Sequence, residues 1–393
     1  MSSNNNKIII EEILAAIDIP DSAYDKAEDR YNDLGEWFGR PESLCAPHDP
    51  HIYPQGSFRL GTVIRSDEFD LDVGCRLRTR ITKATHTQKQ LKDLVGRELE
   101  RYRVARGIKQ ALEEKHRCWR LPYLDEVKFH EDVVPSIPED TAQKKTLREA
   151  MIRAGSVEAV AQSVAEFAGS ITDNGDPNYD KISPAWRISN SEGYALWFEA
   201  CMKQTKALME KHALVAKAQV DDLPIPRGKL PLQQSVQLLK HHRDVMFADN
   251  PDGKPISIII TTLAALAYQG EDEIDDAIER ILTDMDKYIR STVPRAPNPV
   301  NPAEDFADKW SNPAYRHLNL EQNFKDWLDA ARRDFRLIAS TRDVEMLVEQ
   351  ARHKFDARLS QKNLEERLGW PRIESKPKVH QVSERPAKPW RWA

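Results

Sequence analysis

The chain has 393 residues, enough for one large domain or two ordinary ones. With 40% hydrophobic and 31% charged residues it has the composition of a water-soluble protein, and a net charge of -5 argues against holding nucleic acid by bulk positive charge. No apolar run approaches the ~20 residues of a membrane span, the N-terminus lacks the apolar core of a secretory signal, and Cys45, Cys75, Cys118 and Cys201 form no C-x-x-C pair; a cytoplasmic protein with reduced thiols is expected.

Ile9, Ile10, Leu14 and Ile17 recur at helical spacing over residues 7–18. After Pro20, Asp21 or Ser22 can cap a second helix with Tyr24, Ala27, Tyr31, Leu34 and Trp37/Phe38 on one face. Arg40 to Pro54 is rich in Pro and His and reads as loop. A turn at Gly56-Ser57 precedes a strand from about Phe69 to Thr79. Thr85 to Lys115 has the pattern of one long amphipathic helix. Arg117–Leu124 and Val127–Val134 are strands of a hairpin turning at Asp125-Glu126, the second ended by Pro135 and Pro138. From Lys144 the pattern is helical, with helices near 144–168, 191–218, 231–248, 256–269, 273–290, 320–335 and 341–359. An α+β lobe followed by a helical lobe is predicted, divided at the turn-rich stretch Asp173–Pro184: 1–180 the α+β lobe with its N-terminal helices, 181–370 helical, 371–393 a flexible tail.

Within Phe69–Val73 the residues alternate. On a strand, Phe69, Leu71 and Val73 face one side and Asp70 and Asp72 the other. Two carboxylates roughly 6–7 Å apart on a half-buried surface destabilise it unless a cation neutralises them. Asp132, in Phe129–Pro135, is the candidate third carboxylate; Asp125, Glu126 and Glu131 are its rivals, and Glu131 falls on the opposite strand face. Three carboxylates behind a Gly-Ser turn suit two-metal phosphoryl transfer, which needs hard oxygen ligands around a metal pair and a close approach of backbone to phosphate. His241-His242 read as structural, and Trp186, Trp197 and Trp310 as core.

Gly56-Ser57 followed by Asp70-Leu71-Asp72 resembles the signature of the polymerase-β-like nucleotidyltransferases. More narrowly, Pro54–Thr62, Phe69–Asp72 and Asp132–Pro135 resemble motifs of the bacterial cGAS/DncV-like nucleotidyltransferases (CD-NTases). Leu238–Arg243, Pro255–Ile259 and Asn301–Phe306 resemble later segments of that family. The resemblance implies a bilobal enzyme with its nucleotide cleft between lobes. Asp70, Asp72 and Asp132 would be catalytic and hold two Mg2+ ions, with Mn2+ a possible substitute. Gln55, Gly56, Ser57, Lys240 and Ser257 would bind nucleotide. Many relatives carry a Tyr after the Ser of the second helical motif, where this chain has Ile258, so a base-stacking residue is missing there.

By the same resemblance, the expected activity is template-independent synthesis of an adenine-containing cyclic di- or trinucleotide from ATP and GTP. The product would be a second messenger of CBASS anti-phage defence, the only link to a downstream effector. A ubiquitin-transfer-like enzyme conjugating the chain at Ala393 is a possible partner; neither membrane nor stably bound nucleic acid is expected. The alternative is a toxin or modifying enzyme that transfers NMP to a macromolecule or drug through the same metal site.

Overall fold

The computed structural model describes residues 2–66, 68–123, 128–202 and 228–369. Asp67, the predicted turn at Asp125-Glu126, residues 203–218 of the helix expected over 191–218, and the tail with Ala393 lie outside the described residues.

Among the described residues seven strands form one mixed sheet: β1 (Pro50–Pro54), β2 (Phe69–Leu77), β3 (Glu113–Glu114), β4 (Trp119–Tyr123), β5 (Phe129–Pro138), β6 (Gly169–Ile171) and β7 (Arg187–Ser189). The path runs β1-β2-β5-β4-β3, and β6 with β7 joins the end of β5. β2 and β5 are parallel; all other pairs are antiparallel. The parallel pair needs a crossover, which the helix α4 (Gln88–Ala105) supplies. A capping box at Thr87 and Gln90 starts that helix, and it buries Leu91, Val95, Leu99 and Tyr102. α2 (Asp21–Gly39) buries the predicted Tyr24, Ala27, Tyr31, Leu34 and Phe38 in the same core.

Several sequence expectations are corrected. β1 occupies the end of the predicted loop: all five of its residues are buried, but flanking prolines mask the pattern. The Gly-Ser turn is the first turn of a short helix, α3 (Gly56–Leu60). The long helix expected to Lys115 ends at Ala105, before Gly107 with its positive φ. β5 continues through Pro135 to Pro138. β4 pairs only with residues 129–133 of β5, and β6 begins pairing at Ser136, so Pro135 falls between partners on that side and its missing N–H breaks no ladder there.

A second core is helical. It contains α7 (Ser191–Cys201), α8 (Pro231–Met246), α9 (Ser257–Ala267), α10 (Ile274–Asp284), α11 (Leu320–Ser340), α12 (Val344–Phe355) and α13 (Gln361–Leu368). It also takes α1 (Ser2–Ile17) through Ile9, Ile13 and Ile17, and α5 (Thr141–Arg153) and α6 (Glu158–Glu166) through Met151, Ala161 and Val164. Packing therefore does not follow a cut at residue 180, because three helices before it have their apolar faces in the helical core. The stretch at 173–184 is not a free linker either: Tyr179 O accepts from Lys89 N, and Asp173 N donates to Gln88 Oε1 at the start of α4. No described helix is long and apolar enough to cross a membrane.

Candidate active site

β2 alternates as its sequence requires. Phe69, Leu71 and Val73 are buried in the sheet core, while Asp70 is exposed and Asp72 partly covered on the other face. The parallel β2–β5 register sets Asp72 beside Asp132 and Asp70 beside His130. Glu131 points the other way; it is fully buried and accepts from Tyr123 Oη at 3.0 Å. Adjacent strands thus bring Asp70, Asp72 and Asp132 to one face.

The start of α3 closes tightly over this face. Gly56 has φ +62, and a Cβ built on it would lie 1.9 Å from Asp72 Oδ2. Only glycine permits that approach. Gln55 N–H donates to Asp72 O at 2.8 Å and fixes the junction.

A cavity of about 670 Å³ opens in front of β2. Gly56, Ser57, Asp70 and Asp72 line one side, Lys240 of α8 and Ser257 of α9 the other. Six of the eight sequence-predicted site residues therefore share one cavity. Gln55 is not among the lining residues, and neither is Asp132.

Lys240 is buried, and its Nζ donates to Thr62 O at 2.8 Å. Burial, and then repulsion by Arg243, lower its pKa to about 8, while Asp244 and Asp72 act the other way. Ser257 is the first residue of α9, and its Oγ accepts from Arg243 Nη1 at 3.0 Å. Arg243, one turn after Lys240 on α8, also donates to Pro255 O and to both carboxylate oxygens of Asp244. It was not singled out from sequence; its spacing of three from Lys240 was the available signal.

Arg120 was missed as well. It lies opposite Asp132 in the β4–β5 ladder, with Nε 2.7 Å from Asp132 Oδ1 and Nη2 2.8 Å from Oδ2. The pKa of Asp72 is raised to about 7, by burial first and then by Asp132 and Asp70, with Arg120 and Lys240 opposing. An oxygen-only donor set with excess negative charge suits a hard divalent cation. Among the described residues no three His, Cys, Asp or Glu side chains already converge on one ion position. Asp132 is drawn to Arg120 instead.

A second chamber of about 250 Å³ shares Gly56, Leu60 and Ile258 with the first. Its wall includes Arg187 and Glu304, paired at 2.7 Å, and Asn298, whose Nδ2 donates to Glu304 Oε2 at 2.7 Å. The segment Asn301–Phe306 therefore borders the site, and Ile258 stands where the two chambers meet. Trp186 and Trp197 are buried in the cores, and Trp310 packs on Phe324.

A mixed sheet carrying Asp-x-Asp on one strand and a third Asp in register on its parallel neighbour, faced by a helical half, defines a nucleotidyltransferase of the polymerase-β-like fold. Residues 50–135 match the family described as "Cyclic GMP-AMP synthase DncV-like, nucleotidyltransferase domain". The chain is 29% identical over 343 residues to a c-di-GMP synthase of Roseivirga ehrenbergii, spanning 82% of this chain and 81% of that protein. It is 25% identical over 386 residues to the cyclic dinucleotide synthase CdnG of Bradyrhizobium diazoefficiens, spanning 92% and 83%. The solved structure of that CdnG in complex with GTP is similar in fold, with a TM-score of 0.61 at 20% identity, covering 93% of this chain and 97% of the other. The Vibrio cholerae DncV cyclic AMP-GMP synthase with its linear intermediate gives 0.51 at 16% identity, covering 92% and 89%.

Proposed function

We propose that this enzyme joins two nucleoside triphosphates, without template, into a cyclic dinucleotide. The observation that carries the reading is the in-register placement of Asp72 and Asp132, with Asp70, beside a cavity whose far wall holds Lys240 and Ser257. The relatives named above support guanine in the ring, because one is a c-di-GMP synthase. The adenine-containing product expected from the sequence is the alternative. As a second messenger, the product would serve anti-phage signalling, and conjugation at Ala393 would be a separate regulatory event.

Asp70, Asp72 and Asp132 would hold Mg2+, or Mn2+ in its place, which when bound lowers the pKa of the acceptor hydroxyl and neutralises phosphate charge. In each step the acceptor hydroxyl oxygen bonds to the donor α-phosphorus and the bond to pyrophosphate breaks. Pyrophosphate leaves with the bonding electrons, and the hydroxyl proton passes to the carboxylate face. Lys240 supplies a fixed positive charge for the triphosphate, and Ser257, held by Arg243, a hydroxyl. Gly56 lets the nucleotide-side backbone close on Asp72. The second chamber offers room for the second base next to Ile258.

Incubation with each NTP and with NTP mixtures in Mg2+, followed by mass spectrometry of the phosphatase-resistant fraction, tests the reading. A cyclic dinucleotide is expected, and its mass separates guanine from adenine. Label on a protein or drug instead would establish the NMP-transferring alternative. Product from Asp70→Ala/Asp72→Ala protein would refute the site assignment.

A further inference from the structure

One guanidinium stands among the three carboxylates. Arg120 comes from β4, directly opposite Asp132, and its fork takes both oxygens of that side chain at 2.7 and 2.8 Å. Its Nη2 also lies 3.4 Å from Asp70 Oδ1. Its Nη1 is 3.4 Å from His130 Nδ1, and His130 is in turn 3.6 Å from Asp70 Oδ1. Asp132 is therefore already committed to a cation that the protein supplies itself. The guanidinium cannot lose its charge at any working pH, and the fork matches a carboxylate in both distance and plane. A divalent ion arriving at Asp132 meets a like charge on the same oxygens.

Resting on the metal-dependent reading above, we infer that Arg120 is the built-in counter-ion of this site: it holds Asp132 while metal is absent and must release it for a divalent cation to load, so it weakens metal binding to the nucleotide-free enzyme. The side chain of Arg120 is 25% exposed, so the fork has an open direction in which to leave. A guanidinium released at the mouth of this site is matched to a phosphate oxygen pair. The incoming triphosphate can accept it, so nucleotide and metal load together as thermodynamically coupled ligands.

The test is calorimetric titration of Mn2+ into the full chain without nucleotide, for wild type, Arg120→Gln, Arg120→Lys and the double variant Arg120→Gln/Asp72→Asn. Removing the like charge should tighten Mn2+ binding by about tenfold or more in Arg120→Gln. Arg120→Lys, which keeps the charge but not the fork, should fall between, and it carries the comparison if Arg120→Gln does not fold. A nucleoside triphosphate with a non-hydrolysable α–β bridge should narrow the gap between wild type and variant. Metal-free Arg120→Gln should melt below wild type, and Mn2+ should raise its Tm by more. A mere brace between β4 and β5 would lower Tm equally with and without Mn2+ and leave affinity unchanged. Equal or weaker Mn2+ binding by the substituted proteins overturns the inference, as does Arg120→Gln binding that is absent or indifferent to an added Asp72→Asn substitution. The expected binding pattern without any cyclic product would overturn the proposed function and leave the role of Arg120 standing.

Discussion

Gly56 and Asp72 are so close that a single methyl group on the glycine would stand 1.9 Å from the carboxylate oxygen Oδ2. Gly56→Ala is therefore expected to push Asp72 out of position as well as to strain a left-handed backbone. The strain alone costs roughly 1–2 kcal/mol. Displacing a reacting group by an ångström costs about 100-fold in rate. Pyrophosphate release should fall by at least that much while the protein stays folded. Ser57→Ala, which adds no atom near Asp72, should be milder; equal losses would mean that the close approach is unimportant.

Lys240 makes the enzyme's response to pH predictable. Its folded pKa is about 8, below the usual 10.5, because burial disfavours its charge. The unfolded chain holds that proton more tightly, so between about pH 8 and 10.5 the Lys240 contribution to stability rises with pH. Substrate binding runs the opposite way. A triphosphate favours the ammonium form, so NTP affinity should fall above pH 8 and binding there should take up a proton. Titration calorimetry in buffers of different ionisation enthalpy measures the uptake. Lys240→Met should lose the proton uptake and raise KM for NTP by about tenfold or more. A variant with the same proton uptake as wild type would remove Lys240 from the phosphate site.

The parts of the site that could be read in the sequence have a strict local period. Asp70 and Asp72 flank Leu71 on a strand, so their shared face followed from alternation alone. Lys240 and Ser257 came from motif resemblance in two helices, and the cavity brings both to the carboxylate side. Arg120 depends on hairpin register. A turn centred on Asp125-Glu126 pairs Arg120 with Glu131, whereas the observed ladder, shifted by one residue, pairs it with Asp132. A one-residue slip exchanges strand faces, so an apparently small boundary error hid the carboxylate's partner. The distribution of helices between cores was hidden for a different reason. The apolar stripe of α1 shows that a face must be buried but not against which partner, and Ile9, Ile13 and Ile17 found theirs in the helical half.

Arg243 supports Ser257 from behind and is almost wholly buried. Removing it leaves the Pro255 carbonyl without this donor and Asp244, itself partly exposed, with Lys254 as its partner at 3.1 Å. Arg243→Leu should cost about 1–3 kcal/mol of stability, the usual penalty for leaving a buried acceptor unsatisfied, because Lys254 and solvent still compensate Asp244. Ser257→Ala should cost under about 1 kcal/mol, because Arg243 keeps its other acceptors. Both should raise KM for NTP. Denaturant melts and initial rates separate the two effects: a stable Arg243→Leu protein with unchanged KM would show that the Ser257 hydroxyl needs no support.

A buried ionic joint ties the two halves of the molecule together. Arg76 of β2 reaches Glu192 of α7 with Nη1 2.6 Å from Oε2, and its Nη2 donates to Phe167 O and Tyr53 Oη at 2.9 and 3.2 Å. His51 Nε2 lies 3.4 Å from the other oxygen of Glu192. Burial pushes the Glu192 carboxyl up, but Arg76 and His51 together hold it below the usual range. A carboxylate with a depressed pKa contributes stability above its unfolded value and loses it as pH falls through the folded one. Wild type should therefore lose stability at acid pH partly through this joint, and Glu192→Gln should flatten that slope. Arg76→Met leaves the Glu192 charge without its main partner and should destabilise by about 3–5 kcal/mol at neutral pH. Because β2 also carries Asp70 and Asp72, while α7 sits in the helical core, the loosened joint should raise KM more than it lowers kcat. Melting curves from pH 4 to 8 with NTP kinetics at each end would check both, and a neutral-pH Tm equal to wild type would show that the joint contributes nothing net.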